Sequence, residues 1–205
     1  MGMDYKVVVT RHDENMWWLS QLPEDRVIVY DKSDVPDEKY IAVPNVGKDG
    51  ETQFRYITDN YDNLPDYVFF LQGNPYDHFS VIPLNMERAV HDEMERGYTV
   101  GMPFLRNPWD VGALYQFPEL RTEYFYKLFF DGEYPWDKWS IGPKIIEFSS
   151  GMQYIVPKQC ILARPLEFYK KLHKMTQTAE MDSWRLEWLL KYIYDPSVPL
   201  TATLE

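Results

Sequence analysis

A chain of 205 residues with 45% hydrophobic content suffices for one domain with a full core. Its 32 Asp and Glu outweigh 21 Lys and Arg, giving a formal charge of -11 with no basic block. That balance excludes duplex nucleic acid, whose phosphates need a positive face to release counterions. A polyanionic ligand must instead be met by a held cation or by backbone N–H groups.

The first segment, YKVVVTRH, is a β-branched run that stops at a polar cluster. DENMWWLSQLP reads as a helix capped by Asp13, and RVIVYDKS as a second buried strand with a polar tail. YIAVPNVGKDG gives a short third strand and a glycine-containing turn. In ETQFRYITDNYDNLP, Phe54, Ile57 and Tyr61 recur at helical spacing until Pro65 ends the element. YVFFLQ is the fourth strand.

Nearly continuous apolar strands alternating with helices predict an α/β fold, a mostly parallel sheet covered on both faces. Residues 1–205 form a single domain on this reading, and the terminal Leu204 and Glu205 leave open a longer natural chain. LNMERAVHDEMERG predicts an exposed helix, and residues 101–142 a loop-rich insertion crowded with Pro, Trp and Tyr. KIIEFSSGMQYIVPKQCIL is a strand pair or a bent strand, RPLEFYKKLHKM a helix, and EMDSWRLEWLLKYIYD an amphipathic final helix carrying Leu186, Leu190 and Ile193. Cys160, the single cysteine, reads as a small buried hydrophobe. No signal peptide or membrane span is visible, so a cytoplasmic location is expected.

Dinucleotide fingerprints, phosphate-binding loops, nucleophile elbows and paired-cysteine zinc sites are absent. What remains is the cluster of strand tails, which in such sheets lies where ligands bind. Thr10, Arg11, Tyr30, Asp31, Asn45, Gly47 and the Gln72 to His78 loop gather there. In QGNPYDH, Asp77 and His78 with the side-chain carbonyls of Gln72 and Asn74 suit Mg2+ or Mn2+ better than zinc. The competing reading makes the same residues a turn capped by Asp77. In NVGKDGETQ, Gly47 and Gly50 flank Lys48 before a helix, so free N–H groups can face a phosphate. Asp182 and Glu187 stand among Trp184 and Trp188 on the last helix; Glu187 is a catalytic carboxylate or a surface partner of Lys191.

VVVTRHDENMWWL, VIVYDKS, NVGKDGETQFRYITDNYDNLPDYVFFLQGNPYDH, FSSGMQYIVPKQCILARPLEFYKKL and SWRLEWLLKYIY resemble a family of uncharacterised domains of fungi and large algal viruses. Within it the chain looks closest to a chlorella-virus glycosyltransferase domain of the GT-A fold that helps build capsid glycans. The resemblance implies a metal-assisted transferase moving glucose or a deoxy sugar such as rhamnose from a UDP-sugar to a glycan or glycoprotein acceptor, with retention. It implies nucleotide contacts from Thr10, Arg11, Tyr30, Asp31, Asn45, Gly47 and Arg55, and from Gln72, Gly73 and Asn74. It places Mn2+ or Mg2+ at Asp77 and His78, although the usual Asp-x-Asp is reduced here to one acid. Asp182 or Glu187 is the catalytic carboxylate, and SSGMQ lines the acceptor side. The alternatives are a non-catalytic carbohydrate-binding or capsid-associated module and a metal-dependent phosphohydrolase.

Overall fold

The computed structural model describes residues 2–77, 86–95, 102–103, 110–113, 122–132, 145–148, 150–178 and 180–201. Its main sheet has six strands in the order β3-β2-β1-β4-β8-β5. These are β1 (Tyr5–Arg11), β2 (Val27–Asp31), β3 (Ile41–Ala42), β4 (Tyr67–Gln72), β5 (Met102–Pro103) and β8 (Tyr154–Pro157). The first four in space are mutually parallel, and β8 runs antiparallel to both β4 and β5. A second small sheet pairs β6 (Asp110–Ala113) with β7 (Ile145–Phe148).

Side-chain alternation along each strand divides the core in two. Val7 and Val9 of β1, Phe69 and Leu71 of β4 and Ile155 of β8 face Met16, Trp18 and Leu22, together with Ala89 and Val90 of α2 (Met86–Glu95). Val8, Val68, Phe70, Tyr154 and Val156 face the larger helical layer. That layer contains α1 (Lys48–Asn60), α3 (Thr122–Phe129), α4 (Lys158–Leu162), α5 (Leu166–Thr178) and α6 (Glu180–Ile193). Because both faces are covered, the strands are apolar throughout, as the sequence pattern requires.

Three local expectations change. The segment after β1 is a 3-10 turn at Trp17–Gln21 without a side-chain cap, followed by another at Glu24–Arg26, so Asp13 caps nothing. Trp18 explains the shape: it is buried, and its indole N–H donates to Gly73 O at 3.0 Å, drawing the chain onto the end of β4. The two segments joined by SSG do not pair with each other; β7 joins the small sheet and β8 the main one. The helix expected to be exposed buries Ala89 and Val90. Cys160 is buried as expected, and no described helix is long and apolar enough to cross a membrane.

The C-terminal end of α6 is anchored by Arg164, whose buried guanidinium donates to the carbonyls of Tyr192 (3.2 Å), Ile193 (3.1 Å) and Asp195. The carbonyls of Tyr192 and Ile193 are orphan acceptors of the helix end, satisfied from a neighbouring element, and that of Asp195 lies just beyond it. Beside it, Phe168 of α5 meets Phe129 at 6.0 Å, Phe130 at 6.4 Å and Tyr169 at 5.5 Å, all ring contacts being edge-on. Phe168→Ala should therefore cost about 3–5 kcal/mol. Thermal unfolding would register this as a fall of roughly 10 °C; a fall of only a degree or two would show that this aromatic cluster does not hold α5.

Candidate functional site

Parallel pairing sets Thr10 beside both Tyr30 and Gln72, and Arg11 beside Asp31, so three carboxyl strand ends open on one edge. The chain leaves β1 over one face of the sheet and returns to β4 through α1 on the other. This makes the edge between β1 and β4 a topological switch point, where open α/β sheets bind ligands.

The rim of that edge is internally bonded. Asp31 is fully buried and accepts from Ser33 N–H (3.0 Å), Ser33 hydroxyl (2.6 Å), Asp37 N–H (3.0 Å) and Arg11. Burial works to raise its proton affinity, but these hydrogen bonds prevail and hold its carboxyl below the ordinary range. Deeper in, Glu51 of α1 is also fully buried and is shared by Lys32 Nζ at 2.8 Å, His173 Nε2 at 2.8 Å and Arg55. Burial opposes its ionisation, yet the bonds from His173 and Lys32, the charge of Lys32 and the bond from Arg55 bring its pKa down to about 2. The Lys32 ammonium also donates to Val46 O (2.6 Å) and Lys48 O (2.8 Å), tying the NVGKDG turn to β2.

That turn is tightly specified. Gly47 has φ +61, and a Cβ there would lie 2.4 Å from Thr176 O, so α5 leaves no room for a side chain. Its carbonyl accepts from Ser183 of α6 and from Glu51 N–H. Lys48 follows with φ +47, a conformation that residues bearing a side chain avoid. Across from it, Gly151 and Met152 also have positive φ, at 73 and 54.

Between these two turns lies a cleft of about 270 Å³. It is lined by Lys48, Asp49, Gln72, Met152, Trp184 and Glu187, with Gly151 and Ser183 completing the wall. Gln72 amide donates to Asp49 Oδ2 at 3.1 Å, and Thr10 hydroxyl also bonds Asp49. Burial pushes the Asp49 carboxyl above its ordinary value and the charge of Glu14 adds to this, against Gln72, Lys32 and Thr10. Opposite, Glu187 Oε1 accepts from Gly151 N–H at 2.6 Å. Behind Met152 a small inner cavity of about 10 Å³ is lined by Thr10, Asp49 and Gln53. Both amide atoms of the buried Gln53 lack protein partners there, and the space matches one water molecule.

The structure thus brings Thr10, Gly47, Gln72 and Glu187 to one place and separates others from it. Tyr30 is a core residue whose phenol burial pushes up to about 12, and Asp31 is enclosed by its own loop, so neither side chain is presented to a nucleotide. Arg55 points into the Glu51 cluster. Arg11 spans to Asp31, while Asn45 Nδ2 lies 3.0 Å from His12 Nε2 on the exposed rim. Gly73 is spoken for by Trp18 and by Glu14, whose Oε2 would lie 2.6 Å from an added Cβ.

Asn74 Nδ2 donates to Asp77 Oδ1 at 2.6 Å across an exposed 3-10 turn, Pro75–Asp77, which lines none of the cavities described. That bond is the one the turn reading of Asp77 expects. His78 lies outside the described residues, as does the side chain of Asp182, whose backbone is in the first turn of α6. Among the described residues one trio of metal-type donors falls within 4.8 Å, His91, Asp92 and Glu95, on α2 away from any cavity described.

Asp49 was missed because an acid in the first turn of a helix reads as a dipole partner. The usable signal was its position between Gly47-Lys48 and Gly50, a turn built to bring a helix start against a strand end.

The molecule is an open α/β protein with a mixed-charge cleft at its topological switch point. It belongs to the family described as a protein of unknown function (DUF3431), whose model matches residues 7–197. No curated protein and no solved structure matches the chain.

Two pH experiments follow from the carboxyl groups. Glu51 has a lowered folded pKa, so its contribution is complete above the ordinary glutamate value of 4.5 and is lost as pH falls towards about 2. In urea titrations, the deficit of Glu51→Gln relative to wild type should be full at neutral pH and shrink below pH 4.5; a deficit independent of pH would contradict the buried cluster. Asp49 has the opposite sign: its folded pKa is raised, so ionisation at neutral pH opposes folding. Asp49→Asn should raise the neutral-pH melting temperature and leave it unchanged below the ordinary aspartate value of 3.8, whereas destabilisation at pH 7 would refute the assignment.

Proposed function

We propose that this protein is a metal-assisted glycosyltransferase of the GT-A type, moving a sugar from a UDP-sugar to a glycan or glycoprotein acceptor. The observation that carries the reading is the pair of carboxylates, Asp49 and Glu187, lining one cleft at the carboxyl edge of β1 and β4. The parallel order β3-β2-β1-β4 supports it, since open α/β sheets bind nucleotides outside the carboxyl ends of their strands at such a switch point. The resemblance to the chlorella-virus domain supplies the donor class.

The donor set fits a hard divalent cation. Asp49, Gln72 and Glu187 offer side-chain oxygens to one cleft, which suits Mg2+ or Mn2+. When bound, such an ion neutralises the charge gathering on the departing diphosphate. The chain's own residues do the rest. Thr10 and Gln72 orient Asp49, and the Gly151 N–H orients Glu187.

Calorimetry with UDP, with and without Mn2+, tests the proposal. Manganese should strengthen UDP binding by about tenfold or more, the scale of one strong charge contact, and Asp49→Asn should remove that gain. UDP binding in neither condition would overturn the reading. Capture of glycan unaffected by chelator, with no UDP binding, would make the protein a carbohydrate-binding module instead.

A further inference from the structure

An acidic protein that binds a nucleotide diphosphate in a cleft with two carboxylates faces an electrostatic problem that a metal solves only in part. Among the described residues lining that cleft, Lys48 alone carries a positive charge. We propose that Lys48 is the protein's own grip on the β-phosphate of the donor, holding the leaving group as the glycosidic bond breaks. This rests on the glycosyltransferase reading and adds a named specificity residue to it.

Three observations point the same way. Lys48 has φ +47, where glycine or asparagine would sit with less strain; such strain persists where surrounding structure enforces it and clusters where a side chain has work to do. Here the surroundings do enforce it: Lys48 O accepts from Lys32 Nζ at 2.8 Å, and the preceding carbonyl accepts from Ser183 and Glu51. The ammonium is also aimed, lying 4.4 Å from the centroid of the Trp184 ring, which lines the same cleft. Trp184 therefore holds the cation at a cleft that Asp49 and Gln72 also line.

In the transfer, the bond from the anomeric carbon to the β-phosphate oxygen breaks and its electron pair stays on that oxygen. The acceptor hydroxyl oxygen forms the new bond to the same carbon, and its proton passes to the departing phosphate, giving the glycoside and UDP. An ammonium beside the β-phosphate stabilises the charge that develops there and is not itself consumed.

The test is an affinity ladder of uridine, UMP and UDP, measured by calorimetry at constant Mn2+ for wild type, Lys48→Met, Lys48→Arg and Lys48→Gly. Lys48→Met should weaken UDP about tenfold, the scale of one charge-assisted contact, and leave uridine and UMP within about twofold. Lys48→Arg should recover most of the loss. Lys48→Gly relieves the backbone and should melt at or above the wild-type temperature while losing UDP affinity as Lys48→Met does, which separates the effect from misfolding. The proposal is overturned if Lys48→Met binds UDP as wild type does, or weakens all three ligands equally. Wild type binding none of the three would instead bring down the glycosyltransferase reading and this inference with it.

Discussion

The arrangement depends on one buried carboxylate. Glu51 is removed from water and can stay ionised only because Lys32, Arg55 and His173 converge on it. Those partners come from the loop after β2, from α1 and from α5, so satisfying one charge fixes three elements against one another. Loss of one partner would leave a buried charge short of its full compensation, a larger penalty than loss of a surface pair. The same Lys32 ammonium reaches two backbone carbonyls of the NVGKDG turn, so its remaining donors are spent where the cleft begins.

From that anchor the cleft follows by geometry. With α1 held at its first turn, Asp49 meets Gln72 and Thr10 at the strand ends, and Gly47 lies so close to α5 that a side chain is impossible. On the other wall, Arg164 secures the far end of α6 while Ser183 and Glu187 secure its near end to the two glycine turns. Four of the five described positive-φ residues, Gly47 with Lys48 and Gly151 with Met152, fall on the two turns beside the cleft, and Gly132 lies elsewhere. Conformational strain and a carboxyl with raised proton affinity thus occur together, the association expected where function is favoured over stability.

Much of the fold was legible. Val-rich and aromatic strands ending in polar tails, spaced by a helix with Phe54 and Ile57 on one face, are enough to place a covered parallel sheet and its ligand edge. The positions of Thr10, Gly47, Gln72 and Glu187 beside the cleft were reachable by that route because strand-end and helix-face rules apply to them directly. Tyr30, Asp31 and Arg55 show what such a rule leaves out: it says which edge a residue occupies, and not whether its side chain turns inward to a buried partner. Asp77 illustrates the same limit, since an acid beside Asn74 satisfies a turn as readily as it binds an ion.

By itself the sequence determined the class of fold, the covered parallel strands and the edge on which their polar tails gather. Those properties come from composition, periodicity and turn chemistry, which act over a few residues. Tertiary structure alone decided which carboxylates share the cleft. Asp49 and Glu187 stand 138 positions apart in the numbering, and only the docking of α6 against the α1 turn makes them neighbours. It also decided that β7 and β8 part company into separate sheets, because strand pairing is a contest among all available edges that no local pattern can settle.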